Sequence, residues 1–345
     1  MVIKKENIRL SFYILIVIFI WMIFAFSTDN ADYIIYKNWY DITAVSGLTN
    51  RFEIGYSLLM VLGTKLGLSY QEFLMFFSAI GLFLIAYSIY DYCDSPCFAI
   101  ILYFIYPFFF DVVQIRNFMA EAIIFFSIRF LKNYSIKNIL AYISLCLLSM
   151  SFHTASIFYF LFILVYLKDY QKVVKIVILF IIGWMICYAL LPNQIINWII
   201  KFVSEDYIEM GSTLSKVIGY GFFAIVSVAL SYYSDVSCKN KLYKDNEDGY
   251  LNKLIPIILI TCIFISISSQ GYRYFRNMSL IVYVVFLNNG LIFKGAKIQG
   301  TKIRFLNTVF AVSYAIFFFM RQLSWNAALY ETVTKKIIES NFLFH

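Results

Sequence analysis

The chain has 345 residues, of which 62% are hydrophobic and 14% charged, and its formal net charge at pH 7 is +8. Soluble domains carry about 25% charged residues, so this composition excludes an ordinary soluble protein and indicates a polytopic membrane protein. The positive charge lies in short loops, which argues against nucleic-acid binding. The chain has only two histidines, and its six cysteines lack structural zinc spacing, so no metal site is expected.

Apolar segments follow one another along most of the chain, and about 20 helical residues cross a bilayer. The apolar N-terminus has no small-residue cleavage site, so it is predicted to be a retained first span. Eleven spans are predicted, at roughly 9–27, 70–90, 98–113, 115–131, 138–151, 153–168, 173–192, 215–234, 254–270, 275–291 and 305–322. The fold class expected is therefore an all-α helical bundle, with residues 1–345 forming one integral membrane domain.

The distribution of lysine and arginine predicts the orientation of these spans. With a cytoplasmic N-terminus, 17 of the 28 Lys and Arg residues fall in cytoplasmic segments, as the positive-inside rule favours. Segments 28–69 and 192–213 are then extracytoplasmic, and 234–253 is a cytoplasmic loop. The stretch 54–68 is only ~22 Å long as a helix, so we expect a short outer or re-entrant helix there.

Charged side chains inside spans are costly and usually mark functional sites. With this topology the unusual polar residues gather at the outer membrane face, although they are far apart in sequence. They are Asp29, Asp32, Asp41, Arg51, Glu53, Arg116, Asn117, Glu121, His153, Arg273 and Arg276. Their shared depth predicts one extracytoplasmic site, and a structural polar network that ties the spans together is the alternative.

The stretch "DVVQIRNFMAEA", residues 111–122, carries the most polar part of a span. Asp111 is predicted to be an N-cap, with Gln114 as the N3 partner of a capping box. Gln114, Asn117 and Glu121 share one helix face at spacing i, i+3, i+7. Arg116 lies off that face, so no Arg116–Glu121 pair is expected and each residue needs a partner elsewhere.

Three arginines at one depth favour an anionic, lipid-linked substrate, because Arg stays charged and binds phosphate through two donors. The chain has no Gly-rich phosphate loop and no DxD-like metal motif, so we expect no metal and no cofactor. A proton acceptor would come from Glu53 first, then His153, then Asp32. A surface ion pair for Glu53 and a structural role for His153 are the alternatives.

Five stretches are similar in order and spacing to the EpsG family of Wzy-type polysaccharide polymerases. They are "ADYIIY", "FEIGYSLL", "QIRNFMAEAIIFFSIRFL", "SFHTASIFYFLF" and "YRYFRNM", and the resemblance covers about residues 28–290. Ile54 stands where the family often has proline. The pairing of "QIRN" with "SFHT" some 35 residues later is the most specific part of the resemblance.

The resemblance implies a bacterial inner-membrane glycosyltransferase with a GT-C-like fold. It would polymerise undecaprenyl-diphosphate-linked oligosaccharides, both donor and acceptor, at the extracytoplasmic face, for O-antigen, capsule or exopolysaccharide. A chain-length regulator and a flippase of the same pathway are the implied protein partners. The matching positions in this chain are Asp32, Tyr36, Glu53, Tyr56, Arg116, His153, Arg273 and Arg276.

Roles are expected for several of these positions and for three further polar residues near Arg116. Arg116, Arg273 and Arg276 would bind the diphosphate, and Tyr36 and Tyr56 would contact sugar. Gln114, Asn117 and Glu121 are expected to support the site. A lipid-linked saccharide transporter or flippase, an O-antigen ligase or acyltransferase, and a structural subunit remain alternative functions.

Overall fold

The computed structural model describes residues 2–167, 169–191, 214–239, 249–268, 271–290 and 301–344. Every regular element in these residues is helical, which confirms the predicted all-α class, and one isolated β-bridge joins Ser27 to Asn341. The predicted extracytoplasmic segment 192–213 lies outside the described residues. Residues 240–248 of the predicted cytoplasmic loop 234–253 lie outside them as well.

The chain divides into two compact units. The first comprises Met1–Phe160 and Phe286–His345, and the second comprises Leu161–Val285. A 3₁₀ helix, Thr154–Tyr166, carries the chain from the first unit into the second. The predicted single membrane domain stays a prediction.

The first unit holds the helices before residue 160 and those near the C-terminus. Its helices are α1 Val2–Ala25, α2 Tyr33–Ser46, α3 Ile54–Lys65, α4 Tyr70–Tyr92, α5 Pro96–Ile105, α6 Phe108–Val113, α7 Ile115–Ser127 and α8 Ile136–Met150. A short 3₁₀ turn, Ile128–Leu131, extends α7.

The described residues of the second unit form five helices and a 3₁₀ turn before the chain returns to the first unit. The helices are α9 Tyr170–Leu190, α10 Leu214–Lys239, α11 Gly249–Asn252, α12 Ile258–Ile267 and α13 Tyr272–Arg276, with the 3₁₀ turn at Ile255–Ile257. Helix α14, Ser279–Gly290, leads back. The C-terminal part continues as α15 Thr301–Phe319, π-helical Met320–Ser324, α16 Ala327–Leu329, π-helical Tyr330–Lys335 and α17 Lys336–Glu339.

Five helices within the described residues are long and apolar enough to cross a membrane: Tyr70–Tyr92, Tyr170–Leu190, Lys216–Val236, Gly249–Ile267 and Phe305–Ser324. Only 11% of the most apolar 18-residue stretch of the helix Tyr170–Leu190 is buried inside the protein. Large apolar side chains such as Phe76, Leu179 and Phe222 are likewise exposed. Exposed apolar faces of this extent belong against lipid, so the chain is a membrane protein.

Helix α7 is the central element of the first unit, because it packs between α4 and α8. The approach of α4 depends on Gly81, since a Cβ there would lie 2.5 Å from Cζ of Phe118 on α7. On its other side the Phe118 ring lies 4.9 Å from Phe24 of α1. The Phe118 ring therefore packs α7 against both α4 and α1.

The predicted cap at Asp111 is wrong. The preceding helix α6 already begins at Phe108, with Pro107 at its N-cap position, so Asp111 lies inside a buried helical turn. There its carboxylate accepts a hydrogen bond of 2.9 Å from the Tyr103 hydroxyl. Gln114 is not an N3 residue either: with φ −97° and ψ 60° it interrupts the helix and occupies the N-cap position of α7, without a side-chain cap bond.

Two short segments have the expected positions. The stretch around 54–68 does form a short helix, α3, of 12 residues, while its place relative to the membrane stays a prediction. The predicted sixth span is a 3₁₀ helix of 13 residues. A 3₁₀ helix rises ~2.0 Å per residue, so these residues extend ~26 Å rather than the ~20 Å of an α-helix.

Candidate functional site

Arg116 is the second residue of α7. It faces Tyr36 on α2 and the residues just before α3. Its Nη1 donates to Oε2 of Glu53 in an ion pair. Its Nε lies 3.3 Å from the Tyr36 hydroxyl, which accepts this hydrogen bond. The guanidinium also lies over the Phe52 ring, with Cζ 4.7 Å from the ring centroid. These contacts fix the plane of the guanidinium, and 24% of the side chain remains exposed.

Glu53 connects three parts of the chain. It stands at the N-cap position of α3, with φ −59° and ψ 149°, and its side chain makes no capping bond to that helix. Oε2 accepts from Arg116, and Oε1 accepts from the backbone N–H of Thr154 at 3.3 Å. Both carboxylate oxygens thus bind donors of the protein itself, and 17% of the side chain is exposed.

A close contact between α3 and the end of α8 places Glu53 beside Thr154. The N–H of Gly55 donates to the carbonyl oxygen of Ser151 at 2.7 Å. A Cβ at position 55 would collide with the Ser151 side chain and lie 2.8 Å from its carbonyl oxygen. Glycine is therefore required for the stretch "FEIGY" to lie against the stretch "SFHT".

Aromatic rings surround the ion pair. Tyr36 lies 5.4 Å from Phe52 and 5.7 Å from Tyr56, and Phe52 lies 5.4 Å from Tyr56, measured between ring centroids. Tyr56 is fully buried, and its hydroxyl has no hydrogen-bond partner in the part of the chain that the structure describes. The predicted pair Tyr36 and Tyr56 therefore does assemble with Glu53 and Arg116.

A second layer borders this cluster on α2. The ring of Trp39 lies 6.2 Å from Phe52, and Arg51 lies over Trp39 at 5.9 Å. Sequence reasoning did not include Phe52, Trp39, Ser151 or Thr154. The adjacency of Phe52 to Glu53 could have suggested the first, whereas the Ser151 and Thr154 contacts use backbone atoms and leave no side-chain signal.

Tyr40, farther along α2, connects this helix to the segment just before α4. The Tyr40 hydroxyl donates to the carbonyl oxygen of Leu68 at 3.0 Å. Burial, with the nearby Glu72 and Asp41 carboxylates, raises the pKa of Tyr40 to about 12. The hydroxyl therefore stays protonated and serves as a donor that holds the α3–α4 connection.

His153 lies in the predicted turn, between α8 and the 3₁₀ helix. Its Nδ1 accepts a hydrogen bond of 3.2 Å from the N–H of Ala155. An accepting Nδ1 assigns the proton of neutral imidazole to Nε2. His153 adjoins Thr154, the donor to Glu53, so the turn belongs to the same region as the ion pair.

Asp32 stands one turn before Tyr36, at the N-cap position of α2. Its carbonyl oxygen accepts from the Tyr36 N–H at 3.1 Å, and its side chain makes no capping bond to the helix. Asp32 thus supports Tyr36 through the backbone. Its proposed role as a base stays a prediction.

The other polar residues of α7 face different surroundings. Asn117 and Glu121 are buried, and Gln114 is half-buried at the break before the helix. Arg116 takes its partners from α2 and the segment before α3, which confirms that it does not pair with Glu121. A supporting role for Gln114, Asn117 and Glu121 stays a prediction.

Arg273 and Arg276 belong to the second unit, on α13. Arg276 is fully buried, and its guanidinium lies 5.9 Å from the Tyr272 ring on the preceding turn. Gly271 allows this helix to begin against α12, since a Cβ there would lie 2.6 Å from the backbone nitrogen of Ile265. The predicted convergence of these arginines with Arg116 stays a prediction.

Within the described residues, no group of three or more His, Cys, Asp or Glu side chains is placed to hold a metal ion. The sequence model of the EpsG family matches residues 10–332, nearly the whole chain. No curated protein and no solved structure matches the chain.

Proposed function

The chain belongs to the EpsG family, and we propose that it is a Wzy-type polymerase that joins undecaprenyl-diphosphate-linked oligosaccharide units. The family relation makes it a polysaccharide polymerase-like membrane protein. The finer proposal concerns the substrate, the reaction and the membrane face. It covers a multi-pass protein of the bacterial inner membrane with a cytoplasmic N-terminus and an extracytoplasmic site.

The geometry of Arg116 carries the proposal. Nη1 binds Glu53 and Nε binds Tyr36, so the Nη2 edge of the guanidinium has no partner among the described residues. A planar donor held on Phe52, with one edge open and partly exposed, suits a phosphate oxygen. A structural ion pair would more simply bury every donor.

The reaction proposed is a single displacement at the anomeric carbon of the donor. The hydroxyl oxygen of the acceptor sugar forms the new glycosidic bond, and the bond from the anomeric carbon to the diphosphate oxygen breaks. Arg116 stabilises the charge that develops on the leaving lipid diphosphate. The hydroxyl proton passes to a base, for which Glu53, His153 and Asp32 are the candidates.

Sugar contacts are proposed for the aromatic cluster. Tyr36, Phe52 and Trp39 form neighbouring rings beside Arg116, and pyranose rings pack their C–H faces against such surfaces. The buried Tyr56 hydroxyl, which has no described partner, is a further hydrogen-bonding group next to Tyr36. Arg273 and Arg276 remain predicted contributors to diphosphate binding.

The test is elongation by the purified full chain in lipid vesicles. Its own lipid-linked repeat unit, extracted from cells that lack the protein, is the substrate. We expect a ladder of products that differ by one repeat unit each, and no ladder with Arg116→Ala at equal protein level. Transfer of a glycan to a different lipid acceptor only would support the ligase instead. Movement of substrate between leaflets without bond formation would support the transporter.

A further inference from the structure

We infer that Glu53 is the positioning residue of this site: it orients Arg116 and anchors the His153 turn, and it does not take the acceptor proton. This inference rests on the proposed polymerase function. It changes the ranking that sequence alone suggests, in which Glu53 is the first candidate base. The contacts of its two carboxylate oxygens carry the argument.

The first contact determines how Arg116 presents itself. An arginine side chain has four rotatable bonds, and unrestrained rotamers would spread its donors over several directions. Oε2 of Glu53 holds Nη1, the Tyr36 hydroxyl holds Nε, and Phe52 supports the face. With these three restraints the Nη2 edge, together with the second N–H of Nη1, remains for a ligand. Glu53 thus selects the donor edge that an anion meets.

The second contact determines where the His153 turn begins. Oε1 of Glu53 accepts from the Thr154 N–H at 3.3 Å, at the first residue of the 3₁₀ helix. Backbone N–H groups at a helix start have no intrahelical partner and need an acceptor. Glu53 supplies one from a different part of the chain, 101 residues away. His153 immediately precedes this anchored residue.

A general base would have a different environment. It needs an oxygen lone pair directed at the acceptor hydroxyl, within about 2.6–3.2 Å. Both Glu53 oxygens instead bind protein donors, one of them a permanently charged guanidinium. A carboxylate used in this way suits orientation better than proton transfer.

The decisive comparison is between Glu53→Gln and Glu53→Asp, made in the full chain and assayed for elongation rate against substrate concentration and pH. Gln keeps the side-chain length and one acceptor oxygen but cannot serve as a base. Asp keeps a base but withdraws the carboxylate by one methylene. Glu331→Gln, which removes an exposed carboxylate paired with Lys335, is the matched control for loss of charge.

For a positioning residue we expect Glu53→Gln to lower kcat less than tenfold, raise KM about tenfold and leave the pH profile of kcat unchanged. Glu53→Asp should then be no more active than Glu53→Gln. If Glu53 is the base, Glu53→Gln should lower kcat by about 10²–10⁴-fold and change the pH profile of kcat. Glu53→Asp should then be clearly more active than Glu53→Gln. That second pattern would overturn the inference.

The outcomes also separate this inference from the proposed function. If the unaltered protein forms no glycan ladder, the polymerase proposal fails before Glu53 is considered. If it forms the ladder and Glu53→Gln shows the base pattern, only the positioning role fails. Equal accumulation of all variants in membranes, with unchanged elution of the purified proteins, excludes misfolding as the cause of either pattern.

Discussion

Arg116 and Glu53 form an ion pair although 63 residues separate them in the chain. Arg116 is the second residue of α7, which packs between α4 and α8, and Glu53 precedes α3, which lies against the end of α8. Tyr36 on α2 and Phe52 complete the contacts of the guanidinium. Residues from two separate stretches, 36 and 52–53, thus determine the orientation of a side chain on a third.

Arg116→Lys is expected to lower kcat for elongation by about 10²-fold, the loss typical of removing one donor to a developing anion. A lysine ammonium can still approach Glu53, but it lacks the planar group that binds Tyr36 and presents a second donor edge. The measurement is the elongation rate of the purified variant at saturating substrate.

Arg129→Lys is the matched control for this substitution. Arg129 follows the C-terminal end of the same helix, with Nη2 3.7 Å from Asp91 and Cζ 4.0 Å from the Phe126 ring centroid. Arg129, like Arg116, contacts a carboxylate and an aromatic ring, but it lies outside the candidate site. Elongation by Arg129→Lys should therefore change little. Equal losses for the two variants would mean that arginine packing, not anion binding, explains the effect at Arg116.

Gly55→Ala should separate α3 from α8. The added Cβ would lie 2.8 Å from the Ser151 carbonyl oxygen, and the 2.7 Å hydrogen bond from the Gly55 N–H would lengthen. Overpacking of this kind costs about 1–3 kcal/mol. We expect a lower thermal midpoint in detergent and loss of elongation, because Glu53 moves with the helix.

Gly183→Ala provides the comparison for Gly55. Gly183 lies within α9, where a Cβ meets no atom within 4 Å of the described structure. The thermal midpoint and elongation rate of the Gly183→Ala variant should match those of the unaltered protein. If Gly55→Ala were equally silent, the close approach of α3 to α8 would not be needed for the site.

Tyr36→Phe removes the hydroxyl that accepts from Nε of Arg116 at 3.3 Å and leaves the ring contacts with Phe52 and Tyr56 in place. A hydrogen bond to a charged group contributes about 1.5 kcal/mol, so KM for the lipid-linked donor should rise about tenfold. The control is Tyr33→Phe on the same helix as Tyr36. It removes the hydrogen bond from the Tyr33 hydroxyl to Gln71 and should leave KM unchanged.

Tyr103→Phe should reduce stability rather than elongation at saturating substrate. The Tyr103 hydroxyl donates to the fully buried Asp111 carboxylate at 2.9 Å. Loss of one donor to a buried acceptor costs about 1–3 kcal/mol. A lowered thermal midpoint is expected, whereas the exposed Tyr90 should tolerate the same substitution. Unchanged stability in Tyr103→Phe would show that this bond does not matter for folding.

Elongation is expected to persist in excess chelator, since the proposal assigns the leaving-group charge to arginine rather than to a metal ion. The rate is measured after dialysis against EDTA and again after a divalent ion is returned. A rate that falls on dialysis and recovers with the ion would contradict a metal-independent reaction.

Composition and the length of the apolar segments were sufficient to predict an all-α membrane protein. The bilayer leaves few choices for a chain that is 62% hydrophobic, because unsatisfied backbone groups force helices. The same regularity predicted a short helix near 54–68 and a turn at His153. Arg116 stands out from this apolar pattern, because a charge within an apolar helix is unusual wherever it lies.

Local pattern failed where tertiary packing overrides it. Asp111 has the spacing of a cap to Gln114, yet it lies buried in α6 and binds Tyr103, because the helix begins earlier, at Phe108. A capping box depends on where the helix starts, and a neighbouring proline and the surrounding aromatic packing decide that.

The sequence by itself determined four of the side chains that meet here, since Tyr36, Glu53, Tyr56 and Arg116 were all identifiable along the chain, but it did not indicate Phe52 or Trp39. Only the tertiary structure decided which of them meet and how. Glu53 appears as an available base in the sequence, whereas in the folded chain its two oxygens bind Arg116 and the Thr154 N–H. Pairing of this kind depends on the approach of α3 to α8 through Gly55, a long-range backbone contact that no local spacing encodes.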